Sequence, residues 1–207
     1  NSLEDFKRIQ ANGKIAMKLA GDNSIVGVKL CTNADDILLT TKFGKCIRTP
    51  VTKLRTTKSR TSTGVRGIKL VKGDEIISIS VISHTDTTSG ESKAYLKRRS
   101  KEKDNDDHID NDDSESDVSE AEVKLSNERY DEMKAKEQFI LTLTENGFGK
   151  RSSSYQFRIS NRGGSGIMCI ATSDRNGNVL ASFPVNNDDD IMPVSYTHLT
   201  LPTSNDV

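Results

Sequence analysis

An all-β fold built from repeated units of about 51 residues is predicted, first of all, by internal repeats. Residues 37–49 recur with similar sequence as residues 140–152, at an offset of 103. Residues 13–19 recur as 64–70 and again as 166–170. The shift from 13–19 to 64–70 is 51 residues, and the shift from 64–70 to 166–170 is 102 residues. One gap between units is therefore about twice the normal length.

Short strands within each unit, and the turns between them, are the second and third observations that predict the all-β fold. Apolar and polar residues alternate through residues 15–19 and 77–81, which predicts strands with one buried face and one wet face. Turn-forming residues interrupt the strands, and Asn146-Gly147 favours a tight primed hairpin turn; the other turn segments are 20–23, 72–75 and 175–178. About four short strands per unit indicate propeller-like blades.

The charges are strongly segregated, although 30 Lys+Arg balance 30 Asp+Glu. Ten basic residues and no acidic one lie between Lys42 and Lys72, whereas ten acidic residues and no Lys or Arg lie between Asp104 and Glu122. Residues 83–137 hold 17 acids and 10 bases, which leaves 20 bases and 13 acids elsewhere. A basic body of this kind attracts polyanions such as nucleic acids.

The doubled gap, residues 83–137, is interpreted as an acidic, low-complexity insertion rather than a further blade. It lacks both of the repeated strand patterns. Its like charges repel and its apolar surface is small, so disorder is expected from about 83 to 119. Residues 120–138 contain helix formers and are expected to form a short, marginal helix.

Four regions follow from these patterns. Residues 1–82 are expected to hold the end of one blade and one full blade, 83–137 the insertion, and 138–192 a further blade and the start of the next. Residues 193–207 break the pattern and resemble a translated sequencing adapter, so they are interpreted as a non-native tail. The chain starts with Asn1 rather than Met, which suggests a fragment, and it contains no apolar run long enough for a transmembrane helix.

No enzyme active site is recognised in the sequence. The segment 147–152 resembles half of a phosphate-binding P-loop, but the earlier glycine and the Ser or Thr directly after the lysine are missing. His84, His108 and His198 have no partner at metal-ligand or catalytic-triad spacing. The three cysteines form no CxxC pair, and Cys46 and Cys169 are expected to act as small core residues in a reduced, cytoplasmic setting.

Lysines and arginines are the strongest candidates for a functional site, as ligands of duplex DNA phosphates. The loop 50–63 combines them with Ser and Thr, which are further phosphate donors. The chain has no Trp and few aromatic residues, which argues against stacking on single strands. The predicted DNA-binding residues are Lys42, Lys45, Arg48, Lys53, Arg55, Lys58, Arg60, Arg66, Lys69, Lys150, Arg151, Arg158 and Arg162.

Residues 6–81 and 138–192 resemble the C-terminal domain of the A subunit of DNA gyrase. The resemblance is carried by segments 44–50, 60–70 and 73–78 of one unit and by 144–151 of the other, in this order and period. It implies a β-pinwheel, a propeller-like ring of six blades that exchange strands with their neighbours. It also implies that double-stranded DNA wraps around a basic perimeter, which presents a second DNA segment for strand passage and permits negative supercoiling.

The resemblance further implies which functions lie elsewhere. The DNA-cleaving tyrosine, the ATP and Mg²⁺ sites and the contacts to the gyrase B subunit of an A₂B₂ assembly belong to other parts of a cytoplasmic, chromosome-associated enzyme. No cofactor, metal or membrane contact is expected in this chain. The family's Gln-Arg-Arg-Gly-Gly-Lys-Gly box is not intact, and residues 161–166 are a near match that lacks two basic residues.

Two alternatives remain open from the sequence. One is the C-terminal domain of the topoisomerase IV counterpart of the gyrase A subunit, and the other is a propeller-like protein-interaction module, although protein interfaces are usually depleted in lysine. The acidic insertion is either a tolerated surface loop or a competitor of DNA for the basic surface. In the second case, deletion of residues 83–137 is expected to tighten DNA binding.

Overall fold

The computed structural model describes residues 3–7, 11–21, 23–55, 62–104 and 125–194. After a 3₁₀ turn at Leu3–Phe6, the strands and helices are, in chain order, β1 (Asp35–Thr41), β2 (Lys45–Pro50), β3 (Ile76–Ser83), α1 (Ser89–Asp104), α2 (Asn127–Ala135), β4 (Phe139–Thr144), β5 (Gly149–Ser153), β6 (Ile167–Met168) and β7 (Val179–Val185). Short 3₁₀ turns follow β2 at Val51–Lys53 and β5 at Ser154–Gln156.

The strands form two antiparallel sheets that repeat the same arrangement, which confirms the predicted all-β fold. The first sheet has the order β3-β1-β2-β6 and the second has the order β5-β4-β7. Leu38 pairs with Arg48 in the first sheet, and Leu141 pairs with Arg151 in the second, so the hairpins match at the offset of 103. The register shift of each sheet also falls at the same place in the repeat.

Strand β6 belongs to the second unit in sequence but to the first sheet in space. Its residues Ile167 and Met168 pair with Cys46 and Lys45 of β2. Gly166, just before β6, has a φ of 71°, and an added Cβ atom there would lie 2.5 Å from the carbonyl oxygen of Cys46. Glycine is therefore required for this close approach of the two backbones.

The main core lies between the two sheets. It combines buried residues of the first sheet with residues of the second unit that face them: Leu38, Cys46, Ile82, Ile140, Phe157, Cys169, Ile170 and Val179. The sheets are also joined by hydrogen bonds, since Ser80 Oγ donates to the carbonyl oxygen of Ser182 at 2.9 Å. Burial of Cys46 and Cys169 confirms their predicted role as core residues.

Two local predictions are wrong. The alternating residues 15–19 form no strand, and Ile15 is 68% exposed. The equivalent strand β6 needs a preceding hairpin as its partner, and in the described part of the chain no hairpin precedes residue 15. Asn146 does not adopt a positive φ, so the β4–β5 turn is not primed. Instead, Gly147 alone is left-handed and its N–H donates to the Thr144 carbonyl oxygen, as in a three-residue hairpin loop.

The insertion contains two packed helices, so the predicted disorder is wrong for Ser89–Asp104. Helix α1 starts with a reciprocal capping pair, in which Thr88 N–H donates to Glu91 and Glu91 N–H donates to Thr88 Oγ1. Helix α2 confirms the short helix predicted within 120–138. The expected disorder of residues 105–119 lies outside the described residues, as does most of the predicted non-native tail.

An aromatic cluster explains why these polar helices pack. Tyr95 of α1 lies 5.0 Å from Tyr130 of α2 and 5.0 Å from Tyr155, measured between ring centroids, and Met133 completes the cluster. Burial raises the pKa of Tyr130 and of Tyr155 to about 12, so both phenols stay protonated at neutral pH. Tyr155 donates to the Met133 carbonyl oxygen at 2.9 Å and thereby ties α2 to the second blade.

Candidate nucleic-acid interface

The predicted DNA-binding residues separate into four groups in the structure. Most are exposed, Lys42 and Lys45 are half-buried, and Arg48 is buried. Lys58 and Arg60 lie outside the described residues. The exposed residues are Lys53, Arg55, Arg66, Lys69, Lys150, Arg151, Arg158 and Arg162.

Five exposed cations come from three chain segments that meet beside β2 and β6, and we call this set the basic edge: Lys53, Arg66, Lys69, Arg158 and Arg162. The segments are held together by their backbones. Gly163 N–H donates to the Gly67 carbonyl oxygen, and Lys69 N–H donates to the Gly164 carbonyl oxygen at 2.8 Å. The basic edge is therefore a product of the tertiary fold, because residues about 100 positions apart in sequence share it.

Further hydrogen bonds fix the other members of the basic edge. Lys53 Nζ donates to Asn161 Oδ1 at 3.0 Å. Ser160 donates to the Arg48 carbonyl oxygen through its backbone N–H at 2.9 Å and through its hydroxyl at 3.2 Å. Since Ser160 lies between Arg158 and Arg162, both arginines start from a backbone that is pinned to β2.

A small cavity lies next to the basic edge. Its volume is about 160 Å³, and its walls include Arg158, Ser160 and Asn161 as well as the glycine-rich segment that leads into β6. Arginine, hydroxyl and amide groups are donors to phosphate oxygens. The geometry thus places phosphate donors around a recess at the outer strand of the first sheet. Four residues of the near match to the family box line this recess, namely Asn161, Gly164, Ser165 and Gly166.

A second basic patch is formed by Lys150 and Arg151 on β5, an outer strand of the second sheet. The Arg151 guanidinium lies 4.0 Å from the centroid of the Phe139 ring and also hydrogen-bonds Asn187. Lys42, in contrast, pairs with Glu75 at 3.1 Å next to the turn that precedes β3. A cation that already has a carboxylate partner gains less from a phosphate, so Lys42 is a weaker candidate.

Arg48 must be removed from the predicted DNA contacts. Its side chain is only 1% exposed, and its Nε donates to Asp36 Oδ2 at 2.6 Å. Its other nitrogens donate to the Ser154 carbonyl oxygen at 2.9 Å and to Thr85 Oγ1 at 3.2 Å. Arg48 therefore links the first sheet to the second unit from within the core, because a buried charge needs such partners.

Other chemistry is limited in the described residues. His84 is a neighbour of the same buried pair, with Nδ1 2.7 Å from Asp36 Oδ1, while His108 and His198 lie outside the described ranges. In the part of the chain that the structure describes, no group of three or more His, Cys, Asp or Glu could hold a metal ion. The segment 147–152 forms a hairpin turn and β5, not the start of a helix as a P-loop would require.

The chain matches the family model described as the DNA gyrase C-terminal domain, a β-propeller, over residues 2–32, 35–83 and 138–186. It is 45% identical over 205 residues to the DNA gyrase A subunit of Granulibacter bethesdensis and 31% identical over 195 residues to that of Staphylococcus aureus. These matches cover 94% of this chain but only 22% and 16% of the two relatives, so the chain spans about a fifth of their length.

Solved structures agree on the fold. The C-terminal domain of DNA topoisomerase IV has a TM-score of 0.59 at 15% identity and covers 89% of this chain and 42% of its own. The match to the DNA gyrase A C-terminal domain has a TM-score of 0.58 at 19% identity, and it covers 90% of this chain and 44% of the chain in that structure. No helix among the described residues is long and apolar enough to cross a membrane. The family match, the repeated sheets and the exchanged strand together place this chain in the DNA gyrase C-terminal domain family.

Proposed function

We propose that this chain binds and wraps duplex DNA as the C-terminal region of the A subunit of DNA gyrase. The observation that carries the proposal is the basic edge, where five exposed cations from three segments come together and one of them, Arg158, lines a recess of about 160 Å³. Lys150 and Arg151 on β5 offer a second contact region on the neighbouring blade. A duplex that contacts both outer strands would follow the rim of the blades.

The proposed role is mechanical rather than catalytic. The chain would hold DNA in position while cleavage, ATP hydrolysis with Mg²⁺, and contact with the gyrase B subunit in an A₂B₂ complex occur in other parts of a cytoplasmic, chromosome-associated enzyme. Topoisomerase IV is the less favoured parent enzyme, because the curated relatives at 31–45% identity are gyrase subunits. The likeness to topoisomerase IV, at 15% identity, concerns the fold alone.

Binding of the 207-residue chain to a duplex of about 40 base pairs across a salt series tests this proposal. Each neutralised phosphate contributes about −0.9 to the slope of log K against log salt. We expect a slope of about −4.5 if only the basic edge takes part, and about −7 if all eight exposed cations do. Unrelated sequences should bind equally. Absence of binding at low salt by a folded sample would instead favour the protein-interaction module.

Wrapping can be separated from simple binding by relaxing a closed plasmid with a type I topoisomerase in the presence of the chain. A wrapped duplex retains a linking difference after the protein is removed, whereas straight binding leaves none. Because either hand of wrapping gives a difference, the sign does not decide the test. A plasmid that relaxes fully at saturating protein would contradict the wrapping part of the proposal.

The acidic segment offers a further prediction about regulation of this surface. Deletion of all of 83–137 would remove the packed helices, so the sharper change replaces only residues 105–124, which hold nine acids and one lysine, by a Gly-Ser linker of equal length. A tethered polyanion competes at high effective concentration. If it competes with DNA, the replacement should tighten binding about tenfold at about 50 mM salt. An unchanged affinity would identify the segment as a tolerated loop.

A further inference from the structure

Two cysteines from different units lie side by side where β6 joins the first sheet. Cys46 of β2 has no exposed surface, and Cys169, directly after β6, is 6% exposed. Ile167 pairs with Cys46, and the Cys169 backbone N–H donates to the Gly44 carbonyl oxygen at 2.8 Å. Because residues two apart on a strand share a face, Cys46 and Cys169 are diagonal neighbours, and both belong to the main core.

The two thiols are in hydrogen-bond contact with each other. Cys46 donates to Cys169 Sγ, and the Cys169 thiol can in turn donate to the Gly44 carbonyl oxygen at 3.1 Å. The hydrogen bond from Cys46, aided by one from the Ile170 backbone N–H, lowers the pKa of Cys169 although burial opposes the shift. The same thiol contact, together with burial, raises the pKa of Cys46. Cys169 is therefore the member of the pair that reaches the reactive thiolate form more readily.

The repeated fold does not require cysteine at either position. At the offset of 103, the equivalent of Cys46 in the second unit is Gly149. The equivalents of Cys169 in the two earlier copies of its segment are Gly67 and Ala16. The chain has three cysteines, and two of them occur at facing positions of the same junction between units. Core packing alone therefore does not account for this pair.

We infer that Cys46 and Cys169 are a disulfide-forming site, at which a hydroperoxide oxidises the two thiols to a covalent bridge between the first sheet and the exchanged strand. In the first step the Cys169 sulfur attacks a peroxide oxygen, the O–O bond breaks, and a sulfenic acid and water result. In the second step the Cys46 sulfur attacks the sulfenic sulfur, the S–O bond breaks, and a second water leaves with the Cys46 proton. Two thiols and one hydrogen peroxide thus give one disulfide and two water molecules.

The bridge would fix the exchange of β6 covalently. Strand β6 is held to β2 by two residue pairs, and brief local opening of so short an element admits a small peroxide to the thiols. Once formed, the bridge closes a loop of more than about 100 residues, which restricts the unfolded chain and stabilises the folded one. A small thiol reverses the reaction by disulfide exchange. The inference goes beyond DNA binding and does not depend on it.

The test treats the C31S variant of the 207-residue chain with hydrogen peroxide, so that the exposed thiol of Cys31 takes no part. After denaturation and reaction with iodoacetamide, the untreated protein should carry two alkyl groups and the treated protein none. Trypsin should release residues 46–48 joined to residues 163–175, and a reductant should separate the two peptides. The cross-linked peptide identifies the pair directly.

Urea unfolding measures whether the bridge fixes the exchanged strand. The midpoint of treated C31S should rise by at least about 1 M, because a long loop has been closed. The matched control C31S/C169A cannot form the bridge, so the same treatment should not raise its midpoint, which also accounts for oxidation of methionines.

Three results decide the inference. Recovery of the cross-linked peptide with a raised midpoint supports it. Two alkyl groups on C31S, after an exposure that fully oxidises Cys31 of the unchanged chain, would identify the pair as inert core residues and overturn the inference. A bridge that forms but lowers the midpoint would overturn the claim that it fixes the strand exchange. If C31S/C169A fails to fold, the peptide from C31S still decides whether the bridge forms.

Discussion

Replacing Arg48 by alanine is expected to lower the free energy of unfolding by about 3–5 kcal/mol, because removal of one partner from a buried ion pair leaves the other charge uncompensated. Among the described residues, Asp36 would keep the hydrogen bond to His84 as its side-chain contact, and the Ser154 carbonyl oxygen and Thr85 would each lose a donor. Urea unfolding followed by circular dichroism measures the loss.

Two companion variants identify the cause of this loss. The double change D36N/R48M removes both charges and keeps an apolar stem in the core, so it should recover at least half of the stability lost in R48A. The exposed residue Arg55 is the matched control, and R55A should change stability by no more than about 0.5 kcal/mol. A cost below about 1 kcal/mol for R48A would show that the buried pair does not hold the two units together.

Arg48 also shows where prediction from sequence stops. A run of basic residues from Lys42 to Lys72 suggested a common role, but β2 alternates its faces and turns this one arginine inward. A signal for its burial was present: Asp36 lies two residues before Leu38, which pairs with Arg48, so the opposite charges are diagonal neighbours on one face of a hairpin. Using that signal requires the register, which the sequence alone fixes only approximately.

The hairpins were predictable because their repeat carries both strands and the turn between them. The register of β1 with β2 and of β4 with β5 agrees at the offset of 103, as the aligned sequences indicated. The basic edge was predictable only as a list of residues. Its assembly depends on the exchange of β6 and on the backbone bonds of Gly163 and Lys69, which connect segments far apart in sequence.

Helix α1 escaped prediction for a different reason. Mean composition favoured disorder in residues 83–119, since charges are dense and apolar residues are few. A capping pair at Thr88 and Glu91 and one buried tyrosine are enough to change the outcome, provided that partners are supplied from elsewhere. Those partners are Tyr130, beyond the acidic segment, and Tyr155, in the next blade. Average composition contains no information about such distant contacts.

Neutralising the basic edge is expected to have the largest effect on function. The variant K53Q/R66Q/K69Q/R158Q/R162Q removes up to five phosphate contacts, so the slope of log K against log salt should lose about 4.5 in magnitude. Affinity for a duplex of about 40 base pairs at about 50 mM salt should fall at least about a hundredfold. All five side chains are exposed, so the fold should be retained, and urea unfolding checks that it is.

The decisive comparison is with a variant that has the same net charge. K7Q/K29Q/K134Q/K136Q/R175Q also removes five exposed cations, but from positions outside the basic edge. If attraction depends only on total charge, both variants should lose affinity equally. If the backbone bonds of Gly163 and Lys69 gather a specific phosphate-binding surface, only the first variant should lose the steep slope. Equal losses of affinity would therefore show that DNA is attracted by the total positive charge and not by a specific surface. A larger loss in the first variant would place the DNA along the outer strand of the first sheet.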